Sequence, residues 1–117
     1  MYDPKNIFAR ILRGEIPCDK VYEDDFVLAF RDIAPKAPVH ILVIPKGAYS
    51  DLIDFSTHAS GAEIEGFFRA VSKIAAEQGI VGDGFRSIAN TGDHGGQEVP
   101  HFHLHLLGGA PIGPMVS

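Results

Sequence analysis

The sequence of 117 residues has one cysteine, no tryptophan and no long apolar run. A single cysteine, Cys18, excludes an internal disulfide framework and any metal site built from several thiolates, and beside Asp19 we interpret it as a structural thiol. No apolar segment approaches the roughly 18 residues that span a bilayer, and the N-terminus lacks the charged and then apolar pattern of a secretory signal. We therefore expect a cytoplasmic protein without membrane contacts.

Basic residues are also scarce, with 10 Lys and Arg against 15 Asp and Glu, for a formal charge of −5. Without a basic footprint the chain is not expected to bind a nucleic-acid backbone. A small anionic ligand would need hydrogen-bond donors within its own site, because the overall field does not attract it. The length predicts a single domain over residues 1–117, with no room for a second core.

Apolar periodicity and turn signals predict an α+β fold with an antiparallel sheet. A first helix is expected to open at Asp3-Pro4 and to stop at Gly14, and residues 50–55 form a short helical turn. A longer helix is expected between a cap at Ser60 and a stop at Gly79. The predicted strands are 20–22, 26–30, 39–44, 85–89 and a last one at about 100–108, followed by a tail, 109–117.

Three of the six histidines fall within one run, residues 101–107 (HFHLHLL). Because side chains alternate along a strand, His101, His103 and His105 are expected to share one face. Imidazoles contribute little to burial there, but near neutral pH they serve as nucleophile, general acid or general base. The preceding glycine loop (residues 90–97) would let backbone amides approach an anion. Together these features favour chemistry at a phosphate, with one histidine attacking phosphorus.

Zinc binding is the alternative that the spacing leaves open. The pattern His-x-His-x-His can supply two or three ligands, and Glu98 or Asp93 could complete the set. An extended strand, however, holds alternate side chains parallel, so three neighbours rarely converge on one ion. Three satisfied surface histidines are the structural alternative. We expect no cofactor to be required and do not expect zinc, although the residues could bind it.

The run 101–107 matches the motif His-φ-His-φ-His-φ-φ, where φ is apolar, of the histidine-triad (HIT) superfamily. Four further parts of the chain resemble that family in the same order, so that the likeness covers nearly the whole sequence: residues 6–17, 28–33, 37–46 and 95–97. Gly108-Gly109 after the run is similar to the nucleotide-binding branch, the purine nucleoside phosphoramidases, rather than to the diadenosine-polyphosphate hydrolases.

The resemblance implies a HIT-like fold, with a five-stranded antiparallel sheet, one long and one short helix, and a sheet that continues across a homodimer. It also implies that the chain hydrolyses the P–N bond of purine nucleoside 5′-phosphoramidates, conjugates of AMP or GMP, through a nucleotidyl-histidine intermediate. The alternatives are a dinucleoside-polyphosphate hydrolase, a nucleotidyl transferase, or a nucleotide-binding scaffold with weak catalysis.

By position in the motif, the resemblance implies that His103 is the nucleophile and that His105 contacts the phosphate or the leaving group. His101 and His40 would support them in a hydrogen-bonded histidine chain. An aspartate offers acceptor oxygens to ribose hydroxyls, and apolar side chains hold a purine by contact area and stacking. The implied nucleotide-binding residues are Asp32 at the ribose, Asn90, Gly96, Gln97 and Glu98 at the phosphate, and Phe8, Ile11, Phe30, Ile33 and Leu42 around the base.

Two positions near the expected leaving group depart from the family pattern. Glu98 stands where some relatives carry a hydroxyl residue, and its carboxylate would attract a cationic amine, as in lysine-linked substrates. Pro100 stands where relatives often have an aromatic residue, and it holds Val99 extended. We therefore expect the leaving group to pack differently in this chain.

Overall fold

The computed structural model describes residues 1–116, which form three helices and a single five-stranded sheet. The five strands are all antiparallel to their neighbours and lie in the order β1-β2-β3-β5-β4. The elements are α1 (Ile7–Leu12), β1 (Lys20–Glu23), β2 (Val27–Arg31), β3 (Val39–Pro45), α2 (Leu52–His58), α3 (Gly61–Glu77), β4 (Arg86–Ile88) and β5 (Leu104–Gly108). The predicted α+β fold is confirmed, with two short helices beside the long one. No helix among the described residues has both the length and the apolar character needed to cross a membrane.

Local capping explains where the helices begin and end. The Ser60 hydroxyl accepts from the Glu63 amide at 3.1 Å, and the Glu63 carboxylate accepts from the Ser60 amide at 3.0 Å, which forms the predicted cap of α3. Gly79, with φ of +72°, follows its C-terminus. Helix α1 begins later than predicted, because Asn6 caps it while Asp3 accepts hydrogen bonds in the turn before it.

Alternation along the strands divides the core into two layers on opposite faces of the sheet. One layer packs beneath α2 and α3 and includes Phe102, which stacks on Phe55 with ring centroids 5.0 Å apart. The second layer lies on the face that carries α1 and consists of Phe8, Leu28, Phe30, Leu42 and Ile44. Phe102 and Leu106 therefore pack toward the long helix, as the alternation predicted, and the α1 face is left for a site.

The last strand begins at Leu104, later than the predicted start near residue 100. Extending β5 toward the N-terminus would bring it alongside Pro45, which has no amide proton for the ladder. The Pro45 carbonyl instead accepts a hydrogen bond from Nε2 of His101 at 2.9 Å, and the Phe102 amide donates to the Tyr49 carbonyl at 2.7 Å. Residues 101–103 consequently lie outside the sheet, and His101 is buried rather than placed on a shared strand face with the other two histidines.

Candidate active site

A cavity of about 720 Å³ opens on the face of the sheet that carries α1. Its floor follows a row across three strands, in which Phe30 pairs with Leu42 and Leu42 pairs with His105. Residues that face each other across antiparallel strands project from the same face, so the sheet register places this row in the cavity. Its volume falls in the range of small-molecule sites.

The cavity gathers the predicted site residues, with two exceptions. His101 and Gln97 do not line it. The Gln97 side chain is occupied elsewhere: its Nε2 donates to the carbonyls of Ser50 at 2.7 Å and Val99 at 3.0 Å, and its Oε1 accepts from the Gly92 amide at 3.2 Å. Gln97 therefore braces the loop behind the site. The predicted residues that do line the cavity are Phe8, Ile11, Phe30, Asp32, Ile33, His40, Leu42, Asn90, Gly96, Glu98, His103 and His105.

In the glycine loop (residues 90–97), two backbone amides donate hydrogen bonds to other residues of the same loop. The Gly92 amide donates to Gln97, and the Gly96 amide donates to the Asp93 carbonyl at 3.1 Å. Both glycines have positive φ, +67° and +72°, which favours glycine at these positions. The amide protons of Gly92 and Gly96 are thus donated within the loop, and the approach of loop amides to an anion stays a prediction.

The first histidine pair consists of His101 and His103 and is connected through the backbone. Nδ1 of His103 lies 2.7 Å from the carbonyl oxygen of His101. Because a carbonyl can only accept, this nitrogen carries the proton and Nε2 carries the lone pair. Within residues 1–116, Nε2 of His103 has no hydrogen-bond partner. His103 therefore presents an acceptor, and a potential nucleophile, to the cavity that it lines.

His101 itself is fully buried, at 0% exposure, and is held on both sides of its ring. Its Nε2 donates to the Pro45 carbonyl at 2.9 Å, so Nδ1 is left as an acceptor. The Tyr2 hydroxyl lies 2.7 Å from that nitrogen and donates to it. The support that His101 gives to His103 thus passes through its carbonyl and not through its ring, in contrast to the predicted chain of side chains.

The second histidine pair consists of His40 on β3 and His105 on β5. The Lys36 amide donates to Nδ1 of His40 at 3.0 Å, so the proton of this imidazole is on Nε2. That Nε2 donates to Nδ1 of His105 at 2.9 Å. Nδ1 of His105 is therefore the acceptor, and its Nε2 carries a proton. His105 presents a hydrogen-bond donor to the cavity, beside the acceptor of His103.

Burial lowers the pKa of all four imidazoles. The pKa of His101 falls to about 4, and that of His105 also falls to about 4, with the nearby His103 and His40 adding to the effect of burial in the second case. Burial likewise lowers the pKa values of His40 and His103, while the charge of Asp32 opposes the shift in both. All four rings are therefore neutral at neutral pH, as their hydrogen-bond pattern requires.

Asp32 lies beside the second pair. Its Oδ1 accepts from the Ala34 amide at 2.8 Å, and its Oδ2 lies 3.5 Å from Nε2 of His40. Each carboxylate oxygen has two lone pairs, so both retain capacity for a hydroxyl donor. Asp32, His40 and His105 also form a group among the described residues whose ligand atoms lie within 4.8 Å of one another. A cation bound there would have to displace the proton that His40 donates to His105.

Several cavity residues carried no signal in the sequence. Lys36 acts through its backbone amide, which no side-chain motif reports. Cys18 lines the cavity as well, and burial raises the pKa of its thiol, which agrees with its interpretation as a thiol that is not a nucleophile. Of the two departures, Glu98 lines the cavity and Pro100 does not. The remaining unpredicted lining residues include Ile7, Ile16, Pro17, Asp19, Ile88 and Val99.

Comparison with known proteins points to one family. The HIT domain family model matches residues 13–112. The chain is 57% identical over 116 residues to an uncharacterised 13.2 kDa HIT-like protein of Azospirillum brasilense, a match that covers 99% of this chain and 95% of that protein. It is 50% identical over 113 residues to the purine nucleoside phosphoramidase of Escherichia coli (strain K12), a match that covers 97% of this chain and 94% of that protein. The solved structure of a histidine triad protein from Clostridium difficile superposes with a TM-score of 0.87 at 46% identity, covering 97% of this chain and 98% of that one.

Proposed function

The chain belongs to the histidine-triad (HIT) family, and on that premise we propose that it hydrolyses the P–N bond of purine nucleoside 5′-phosphoramidates through a nucleotidyl-histidine intermediate. The observation that carries the proposal is the pair of opposite groups in one cavity, the lone pair on Nε2 of His103 and the proton on Nε2 of His105. Their ring centroids are 5.1 Å apart. Identity of 50% to a named purine nucleoside phosphoramidase supports the substrate class.

In the first step, the lone pair on Nε2 of His103 forms a bond to the α-phosphorus while the P–N bond to the amine breaks. The amine leaves with a proton from solvent. The imidazole, bonded at Nε2, becomes cationic, and its Nδ1 proton stays donated to the His101 carbonyl, 2.7 Å away before reaction. That carbonyl stabilises the positive charge, and the Nε2–H group of His105 donates a hydrogen bond to a phosphoryl oxygen.

In the second step, water attacks phosphorus and the P–Nε2 bond breaks. A nucleoside monophosphate is released, the water loses one proton to solvent, and His103 returns to its neutral form. The first step requires no charged histidine at its start, which agrees with the lowered pKa of His103. Positioning and charge stabilisation by prepared groups supply most of the rate in this scheme.

The nucleotide would lie along the apolar part of the cavity. Phe8 and Phe30 meet edge to face at 5.5 Å and, with Leu42, offer a surface for a purine. Ile33 is 99% exposed at the rim, an apolar side chain placed where a base would cover it. In this pose Asp32 takes the ribose hydroxyls. The phosphate lies toward the histidines and toward Asn90, Gly96 and Glu98.

The proposal includes a cytoplasmic homodimer that needs no metal. Strand β4 is an edge of the sheet and is paired on one side only, by β5, so a second copy could continue the sheet there. Multi-angle light scattering at micromolar concentration should report twice the chain mass. Elemental analysis of protein purified without a histidine tag should find no stoichiometric zinc, and a chelator should leave turnover unchanged.

Substrate comparison tests the proposal directly. We expect an AMP–amine conjugate to be hydrolysed with a higher kcat/KM than a diadenosine polyphosphate, with kcat in the range of about 1–10³ s⁻¹ usual for enzymes. Preference for the diadenosine polyphosphate would favour the polyphosphate hydrolase or nucleotidyl transferase. Tight AMP binding with turnover far below that range would favour the scaffold. Matched guanosine conjugates would measure the preference between the two purines.

A further inference from the structure

We propose that Tyr2 is a positioning residue, whose hydroxyl holds His101 so that the His101 carbonyl orients the nucleophile His103. The kinetic part of this inference rests on the proposed function, and its structural part does not. Tyr2 lies outside the segment that the family model matches, residues 13–112. It meets His101 across 99 positions of sequence, with the hydroxyl 2.7 Å from Nδ1.

The orienting carbonyl lies in a segment that the sheet does not hold. Strand β5 begins at Leu104, so the carbonyl of His101 is not part of a strand ladder. The ring of His101 is anchored at its two nitrogens, by the Pro45 carbonyl at 2.9 Å and by the Tyr2 hydroxyl at 2.7 Å. Because these anchors fix the ring and therefore the residue, they also fix where its carbonyl meets His103.

Tyr2 is itself held by an ordered turn. The Asn6 amide and side chain both donate to the Asp3 carbonyl, at 3.2 Å and 2.7 Å, and the Lys5 amide donates to the Asp3 carboxylate at 2.9 Å. The Arg13 guanidinium donates to the Pro4 carbonyl at 2.8 Å. The N-terminal turn is thereby attached to α1, and the Tyr2 ring packs edge-on against His101 at 5.6 Å.

Removing only the hydroxyl would leave a buried acceptor without its donor. His101 is 0% exposed, so Nδ1 would lose its hydrogen bond and the ring could turn away from the Pro45 carbonyl to find another partner. The His101 carbonyl would then lose its fixed position relative to Nδ1 of His103. Substrate binding would change little, because neither Tyr2 nor His101 lines the cavity. The expected loss is therefore in kcat and not in KM.

The test is Tyr2→Phe, which keeps the ring and its packing, with Tyr22→Phe as the matched control. Tyr22 donates one phenol hydrogen bond to Asp24 at 2.9 Å and does not line the cavity. We expect Tyr2→Phe to lower kcat on an AMP–amine conjugate about tenfold with KM within about twofold of the parent value. In nucleotide-free protein, ¹⁵N NMR should show a shifted Nδ1 of His101 and a faster-exchanging Nδ1 proton of His103. Tyr22→Phe should change none of these.

The outcomes separate the two proposals. A Tyr2→Phe variant with unchanged kcat and unchanged His103 exchange would overturn the role of Tyr2, and so would an equal loss in Tyr22→Phe. If the parent protein hydrolyses no P–N bond, the proposed function fails and the NMR comparison alone decides on Tyr2. A shifted His101 resonance together with faster His103 exchange supports positioning, whereas unchanged spectra contradict it.

Discussion

The two histidine pairs of the cavity are oriented in opposite directions. In the first, a backbone carbonyl accepts a hydrogen bond from Nδ1 of His103, so the ring offers a lone pair to the cavity. In the second, a backbone amide donates to His40, which donates to His105, so the second ring offers a proton. The same side chain therefore serves as acceptor or donor according to the backbone group at the far end of its hydrogen-bond chain.

The pairs also differ in what holds them. His40 and His105 belong to paired strands, and the register of β3 against β5 brings them together as diagonal neighbours. His101 and His103 lie before the start of β5 and depend on side-chain anchors. We therefore expect the second pair to be stable to single substitutions in its surroundings and the first pair to be sensitive to them.

The largest expected effect on kcat comes from replacing His103, the ring that presents an acceptor. On the proposed scheme, His103→Ala removes the nucleophile and should lower kcat by at least about a thousandfold, because the covalent step depends on that side chain. AMP binding, measured by calorimetry, should stay close to that of the parent protein. His58→Ala is the matched control, since that histidine is 68% exposed on α2 and pairs with Asp54 away from the cavity. Near-full activity of His103→Ala would contradict the scheme.

Replacing His105, the ring that presents a donor, should lower kcat less. In the same scheme, His105→Ala removes a hydrogen-bond donor to the phosphoryl group and is expected to lower kcat about a hundredfold, as loss of one prepared donor usually does. His105→Gln, which keeps an N–H, should recover part of that loss. Steady-state kinetics of the two variants checks this order. Equal losses of kcat for His105→Ala and His103→Ala would contradict the assignment of His103 as nucleophile and His105 as hydrogen-bond donor.

Acid should destabilise the fold because each pair contains a buried, neutral imidazole. An unfolded histidine has a pKa of about 6.5, whereas folded His101 has a pKa of about 4. The unfolded chain therefore binds more protons below pH 6.5, and the stabilisation present above that pH is lost as pH falls toward about 4. The expected decrease in the free energy of unfolding is on the order of 3 kcal/mol for His101.

Urea unfolding at several pH values between 7 and 4 measures that decrease. His105 acts in the same direction, since its folded pKa is also about 4. A free energy of unfolding that is constant from pH 7 to pH 5 would show that the buried rings are not held neutral.

The smallest effect is expected at the start of the second pair. His40→Ala leaves His105 in place but removes the donor that fixes its tautomer, so we expect kcat to fall about tenfold. Two-bond ¹H–¹⁵N NMR should show His105 as a mixture of tautomers in this variant and as one tautomer in the parent. A single unchanged tautomer would mean that the Lys36 and His40 chain does not set the proton position.

Much of the fold could be predicted because its signals are local. The cap at Ser60, the stop at Gly79 and the strands predicted at 26–30 and 39–44 each depend on neighbours in sequence, and the structure confirms them. The start of β5 could not be predicted from alternation alone. It is set by Pro45, which is distant in sequence and cannot extend the ladder.

The residues of the site could be predicted, but the hydrogen bonds between them could not. The family resemblance predicted one site containing His103, His105, Asp32 and His40, and all four line the cavity. It did not indicate that Gln97 braces a loop, or that glycine amides are already donated. Tyr2 was missed because its contact spans nearly the whole chain and one tyrosine near a terminus has no distinguishing pattern. Hydrogen-bond partners depend on three-dimensional packing, which composition and spacing do not report.

Detection of the covalent intermediate tests the central claim most directly. The parent protein would be mixed with an AMP–amine conjugate labelled in the nucleotide and quenched within milliseconds in alkaline denaturant, because P–N bonds to imidazole hydrolyse in acid. Peptide mass spectrometry should then find one nucleotidyl group on His103, absent from His103→Ala and present in His58→Ala. Turnover without any adduct, or with the nucleotide on another residue, would contradict a nucleophilic His103.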